Sequence, residues 1–247
     1  MGASVLKKAL KRSALAAAAV VVISGCSTVD TYRSEYPEPG QRLNHVLALF
    51  EYNRIEGVEC NDMLVPQRET RDCARLLSEL DQLMTEFPSH PRILMANAVY
   101  QYKAERKDRA QLALDRLLSQ SRAQPEAAIL RARIALEEGN TVFAQQLLMR
   151  QISLAPERVD LRSALASVHF ASGEYQKARN MLNLVRSGSQ VPWEVSYHFG
   201  LIAEGEKDWT SACGHYQGAL RDKADYGPAM SRLVGLAEHI YCPTQGY

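Results

Sequence analysis

The chain carries five cysteines and six histidines, and the set with the widest chemical range is Cys213, His215, His239 and Cys242. Two thiolates and two imidazoles suit a tetrahedral zinc ion. Residues two apart on a helix, however, point in different directions, so Cys213 and His215 do not converge in a helical segment and no metal site is expected. His169 and His198 have the side chain of a ligand or a general acid, and each fits equally as a packed helix residue. The pair Glu137-Glu138 reads as an acid/base couple or as a solvated helix face. "GLIAEGEK", Gly200 to Lys207, approaches a phosphate loop, but Glu206 and Asp208 flank its lysine and no strand precedes it. No HExxH, G-x-S-x-G or GxGxxG spacing occurs. No catalytic residue and no cofactor is therefore expected.

Cys26 stands apart from the other four. It follows Lys7, Lys8, Lys11 and Arg12, an apolar run from Ala14 to Ile23, and the small pair Ser24-Gly25. That order is a basic region, an apolar core and a small-residue cleavage site. The run holds about ten apolar residues, where a membrane span needs roughly 20. Residues 1–25 thus read as a signal peptide, and the plain alternative is secretory cleavage beside an incidental cysteine. Ile23-Ser24-Gly25-Cys26 resembles the lipobox of bacterial lipoproteins. The resemblance implies a diacylglycerol on the Cys26 sulfur, cleavage before it, and acylation of the new N-terminus by a fatty acid such as palmitate. A thiolate is nucleophilic enough for that thioether, and each buried methylene adds about 0.8 kcal/mol of membrane affinity. Ser27, where an aspartate commonly retains lipoproteins in the inner membrane, implies the outer membrane, with the folded part in the periplasm. Residues 26–40, with Pro37, Pro39 and Gly40, read as a tether with a reach of about 45 Å.

Without the leader, 25 basic residues face 28 acidic ones, a net charge near −3. Nucleic-acid binding needs a strongly basic face, so DNA and RNA are not expected partners.

The rest of the chain is rich in helix formers and self-similar. Ala110, Ala144, Ala178 and Ala212 are 34 residues apart, as are Ala98, Ala132, Ala166 and Gly200, and a third column holds Leu114, Leu148, Leu182 and Tyr216. Turn signals recur in register at Gly139-Asn140, Gly173-Glu174 and Lys207-Asp208. Prolines at Pro91, Pro125, Pro156, Pro192 and Pro228 mark junctions where a helix begins but does not continue. This period is the first feature to seek, because it decides the architecture. "EEGNTVFAQQLL" and "ASGEYQKARNML" resemble the turn and second helix of the tetratricopeptide repeat, or TPR, family. The resemblance implies an all-α fold, a right-handed solenoid of stacked antiparallel hairpins. Residues 91–226 form four units, 41–90 a divergent first hairpin, and 227–247 a capping helix, "PAMSRLVGLAEHIY", with a tail. The family's aromatic residue in the first helix is replaced by Gln101, Ala135, His169 and Ala203.

The helical reading also pairs the cysteines. Cys60 follows the first predicted helix and Cys73 opens the second; Cys213 lies near the start of the last second helix and Cys242 just past the capping helix. Antiparallel neighbours bring each pair of ends together, predicting Cys60–Cys73 and Cys213–Cys242, worth roughly 3 and 3.6 kcal/mol in the chain-entropy model.

In TPR arrays the first helices line a concave surface that holds peptides or partner helices. The resemblance maps that surface here to Met95, Val99 and Tyr102; Ile129, Arg133 and Leu136; Ser163, Ser167 and Phe170; and Tyr197, Leu201 and Glu204. For each of them packing against the next unit is the alternative, most of all for Met95 and Ile129. The expected function is a non-enzymatic outer-membrane lipoprotein adaptor that binds envelope proteins, in pilus or secretion-machine assembly. Alternatives are regulation of peptidoglycan-remodelling or outer-membrane biogenesis enzymes, an accessory subunit of a cell-wall enzyme, and self-association as a homo-oligomer.

Overall fold

The computed structural model describes residues 38–53, 67–120, 122–186 and 191–242, with backbone alone at 49–53 and 67–72. Cys26, the tether to residue 37, Cys60 and the loop of the first hairpin lie outside the described residues. These fold into eleven helices with no strand among them. They are α1 (Pro39–Asn53), α2 (Gln67–Glu86), α3 (Pro91–Lys103), α4 (Lys107–Leu118), α5 (Pro125–Glu137), α6 (Thr141–Leu154), α7 (Val159–Ala171), α8 (Tyr175–Arg186), α9 (Pro192–Gly205), α10 (Trp209–Asp222) and α11 (Gly227–Leu236). Each packs on the next, and α5 also touches α7 as α1 touches α3. The arrangement is an all-α solenoid in which α3/α4, α5/α6, α7/α8 and α9/α10 are four consecutive hairpins.

Three columns of side chains make the stacking work. Ala110, Ala144, Ala178 and Ala212 are fully buried, and Ala98, Ala132 and Ala166 nearly so. Their lack of bulk lets the two helices of a hairpin cross closely, and a larger residue there would force them apart at a cost of roughly 1–3 kcal/mol. Leu114, Leu148, Leu182 and Tyr216 fill the space beside the crossing. In the fourth unit the columns vary together, because a Cβ on Gly200 would come within 2.6 Å of Tyr216 Cδ1. Glycine makes room for the larger ring.

The turns inside the hairpins follow one rule. Glu105, Gly139, Gly173 and Lys207, again 34 apart, all have positive φ, between 58° and 76°. Each closes its first helix with the paired hydrogen bonds of a Schellman motif: Asn140 N–H reaches Ala135 O and Gly139 N–H reaches Leu136 O, repeated as Arg106 to Gln101, Glu174 to His169 and Asp208 to Ala203. At the next residue Asn140 and Asp208 cap the second helix, their side chains accepting from Phe143 N–H and Ser211 N–H. Proline at the first turn of α3, α5 and α9 starts those helices where a donor would be unsatisfied anyway.

The C-terminal helix is shorter than the expected Pro228–Tyr241. It ends at Leu236, and the chain turns back onto α10, where His239 stacks on Trp209 with centroids 4.1 Å apart and Cys242 is bonded to Cys213. Those two attachments hold the tail against α10. Cys73 is also disulfide-bonded.

Candidate functional site

The first helices α3, α5, α7 and α9 stand side by side, and the 34-residue register sets their corresponding side chains in rows. Toward the N-terminal end of the row, Tyr102 is half-buried and its hydroxyl donates to Glu137 Oε1 on the neighbouring helix at 2.5 Å. Lys107 pairs with the other oxygen of Glu137 at 2.8 Å. Burial and the bond to Glu137 both push the Tyr102 phenol up. Burial opposes the charge on Glu137, yet the hydrogen bonds from Lys107 and Tyr102 outweigh it and hold the carboxyl below its usual range. Arg133, one turn back on α5, is exposed and adds positive potential to the node.

In the middle of the row the floor is low. Ser163 and Ser167 are half-buried on α7, and the Ser167 hydroxyl donates to the Ser163 carbonyl at 3.2 Å. Val99 is half-buried on α3. Ile129 and Leu136 lie against the core shared by α5, α6 and α7, and Met95 against that of α3, α4 and α5. Phe170 packs on the cluster of Phe199 and Ile202, its ring 5.8 Å from Tyr175.

At the C-terminal end the candidate residues turn to the last two helices. Tyr197 packs edge-on to Tyr226 at 5.5 Å and lies 5.7 Å from Tyr216, and Leu201 joins the same cluster. Glu204 accepts from Tyr216 at 2.5 Å and from Arg232 of α11 at 3.1 Å, so its charge is neutralised inside the molecule. Burial first and this bond second raise the Tyr216 phenol far above its ordinary range. The open part of the row is therefore Val99, Arg133, Ser163 and Ser167, with Tyr102 beside it.

Other residues with chemical potential are engaged in packing. Buried His169 meets Glu174 at 2.6 Å, and Glu138 accepts from Gln111. His215 stacks on Phe199 and His239 on Trp209, while the thiols of Cys213 and Cys242 form a bond. Gly200 to Lys207 runs through α9 into its turn. Among the described residues no group of three or more His, Cys, Asp or Glu could hold a metal ion, and no helix is long and apolar enough to cross a membrane.

Lys107, Glu137 and Arg232 were not among the residues expected at this face. Glu137 lies one repeat plus one residue beyond Tyr102, so the register alone points to it.

Residues 135–189 match the family model described as tetratricopeptide repeat. None of the curated proteins matches the chain in sequence. Among solved structures, TTC0263 of Thermus thermophilus, a thermophilic TPR protein, is 14% identical, with 81% of this chain and 100% of that one covered at a TM-score of 0.61. YrrB, described as a TPR protein with an unusual peptide-binding site, is 12% identical, with 83% and 97% covered at 0.55. The pilF protein of Pseudomonas aeruginosa is 11% identical, with 82% and 85% covered at 0.59. By fold the chain is a tetratricopeptide-repeat solenoid, and over residues 135–189 it matches that family in sequence as well.

Proposed function

We propose that this chain is a non-enzymatic adaptor, held by a lipid on Cys26 in the outer membrane, whose row of first helices binds segments of other envelope proteins. The observation that carries the binding role is the row of exposed Arg133 with half-buried Val99, Ser163 and Ser167, set on the first helices α3, α5 and α7 of a fold whose members are interaction scaffolds. Arg133 and the node around Glu137 offer directional polar contacts, and the small serines between bulkier neighbours leave room for an anchoring side chain. The basic, apolar and small-residue order before Cys26 supports the anchor. Tethering would raise the local concentration of a partner without any new contact. Within this class we place pilus or secretion-machine assembly first, on the layout of anchor, tether and solenoid.

Two experiments test the two halves. Radiolabelled palmitate should enter the full chain and fail to enter Cys26→Ser; equal labelling sinks the anchor. Ser167→Tyr fills the open row without removing core packing, and Arg133→Glu reverses its charge. Cross-linking in intact cells should lose its adducts in both variants while melting temperatures stay unchanged. Adducts retained in both would remove the binding face.

A further inference from the structure

Met230 and Val234 sit one turn apart on α11 and are 44% and 73% exposed. Carried one repeat further, the 34-residue register makes α11 the first helix of a fifth unit. Val234 continues the column of Ala98, Ala132, Ala166 and Gly200, and Met230 continues that of Leu94, Ala128, Arg162 and Ser196. In the four hairpins the first of these columns is covered by the second helix, which leaves Ala98, Ala132 and Ala166 at most 3% exposed. On α11 the same column is open. Residues 237–242 do not cover it, since His239 and Cys242 fasten them to α10. End caps of repeat arrays ordinarily turn a polar face outward, and an apolar strip at that place marks an interaction surface.

We propose that the outer face of α11 is a docking site for an amphipathic helix of a partner protein, which takes the place held by the second helix in the other four hairpins. The class of occupant follows from continuity with the array, because these columns meet a helix in every complete unit. Its chemistry follows from Val234. In the complete units this column faces a large residue only because it is itself small, alanine beside leucine and Gly200 against Tyr216, so a bulkier valine needs a side chain smaller than leucine, Gly or Ala, on the arriving helix. A second copy joined through α11 would oppose valine to valine at the crossing. The strip is also short, about 15 Å for the ten residues of α11, with only Met230 and Val234 as its exposed large apolar side chains. The contact is consequently weak, and concentration at a membrane would make it effective. Ser231 and Gly235 flank the strip without charge, and Arg232 is turned to Glu204, so the approach of an apolar helix leaves no cation stranded.

The probe is a fluorescein-labelled peptide with the sequence of α8, Tyr175 to Arg186, carrying Leu182→Ala so that a small side chain meets Val234. Anisotropy against the purified full chain should show saturable binding. Val234→Glu, at an exposed site that leaves the melting temperature unchanged, should weaken binding at least tenfold, as should Leu182→Trp in place of Leu182→Ala in the peptide. Equal binding to wild type and Val234→Glu, or none to either, overturns the proposal. A photo-cross-linker at position 234 in cells supplies the second reading. An adduct mapped by mass spectrometry to a helical segment of another protein supports the site, and one mapped to residues 227–242 of this chain, or no adduct, overturns it.

Discussion

Three hairpins pair an alanine on the first helix with a leucine on the second, and the fourth pairs Gly200 with Tyr216. The exchange conserves the summed volume at the crossing, so the two positions act as one. Gly200→Ala should destabilise the protein by about 1–3 kcal/mol, and Tyr216→Leu in the same chain should recover much of that loss; urea melts of the single and double variants check the coupling. Turn residues give the opposite sign. Glu105 and Lys207 hold φ of 58° and 64°, where Gly139 and Gly173 stand in the sister turns. A side chain in that region costs roughly 1–2 kcal/mol, part of which glycine returns as unfolded-state entropy. Glu105→Gly and Lys207→Gly should therefore each raise stability by about 0.5–1 kcal/mol. The alanine columns and the glycine turns are legible in the sequence because small size and conformational freedom are properties of the residue itself. Glu105 is not, since nothing in a glutamate announces a left-handed backbone; its place in the 34-residue register is the only signal.

Between units the elements are joined by polar contacts that also repeat. Gln111 reaches Glu138 and Arg179 reaches Glu206, both 27 residues on, from one position of a second helix to the turn of the next unit. Cys213 occupies that same position in the last unit, and its bond to Cys242 closes the array where no further turn follows among the described residues. Exposed ion pairs contribute about 0–1 kcal/mol, whereas closing 29 residues contributes up to about 3.6 kcal/mol in the chain-entropy model. The covalent link thus replaces a weak contact at the end most prone to fray. Cys213→Ser should lower global stability by no more than that amount, and hydrogen exchange should rise first in residues 227–242, with α5 to α8 unchanged. Uniform loss of protection along the chain would mean that the end of the array does not open separately. The pairing of Cys213 with Cys242 is legible in the sequence, because antiparallel helices bring their ends together. The early end of α11 is not, since stacking of His239 on Trp209 depends on where the tail lands.

At the scale of the whole molecule, the periodic sequence reveals the solenoid, and the same period hides how its ends differ. Tyr197, Leu201 and Glu204 occupy row positions equivalent to Ser163, Ser167 and Phe170, yet α11 draws them into the last core, an outcome that position in a repeat cannot convey. Helix-on-helix burial also sets a response to acid that links the third unit to the fourth. His198 is held below its ordinary pKa by burial, against which Glu194 works. His215 is lowered by burial and by the cations Arg179 and Arg186, with Asp208 opposing. Both are neutral in the fold and take up protons more readily when unfolded. Their contribution is complete above the unfolded value near 6.5 and is lost as pH falls through the lower folded values. The carboxyls of Glu137, Asp160 and Glu174 are lowered below ordinary values near 4, so a comparison of pH 7.5 with pH 5.5 isolates the imidazoles. The melting temperature should fall across that interval, and His215→Gln should shrink the fall, because the glutamine cannot bring a third charge against Arg179 and Arg186. A variant whose melting temperature drops as far as the wild type's would show that His215 protonation does not load the stack.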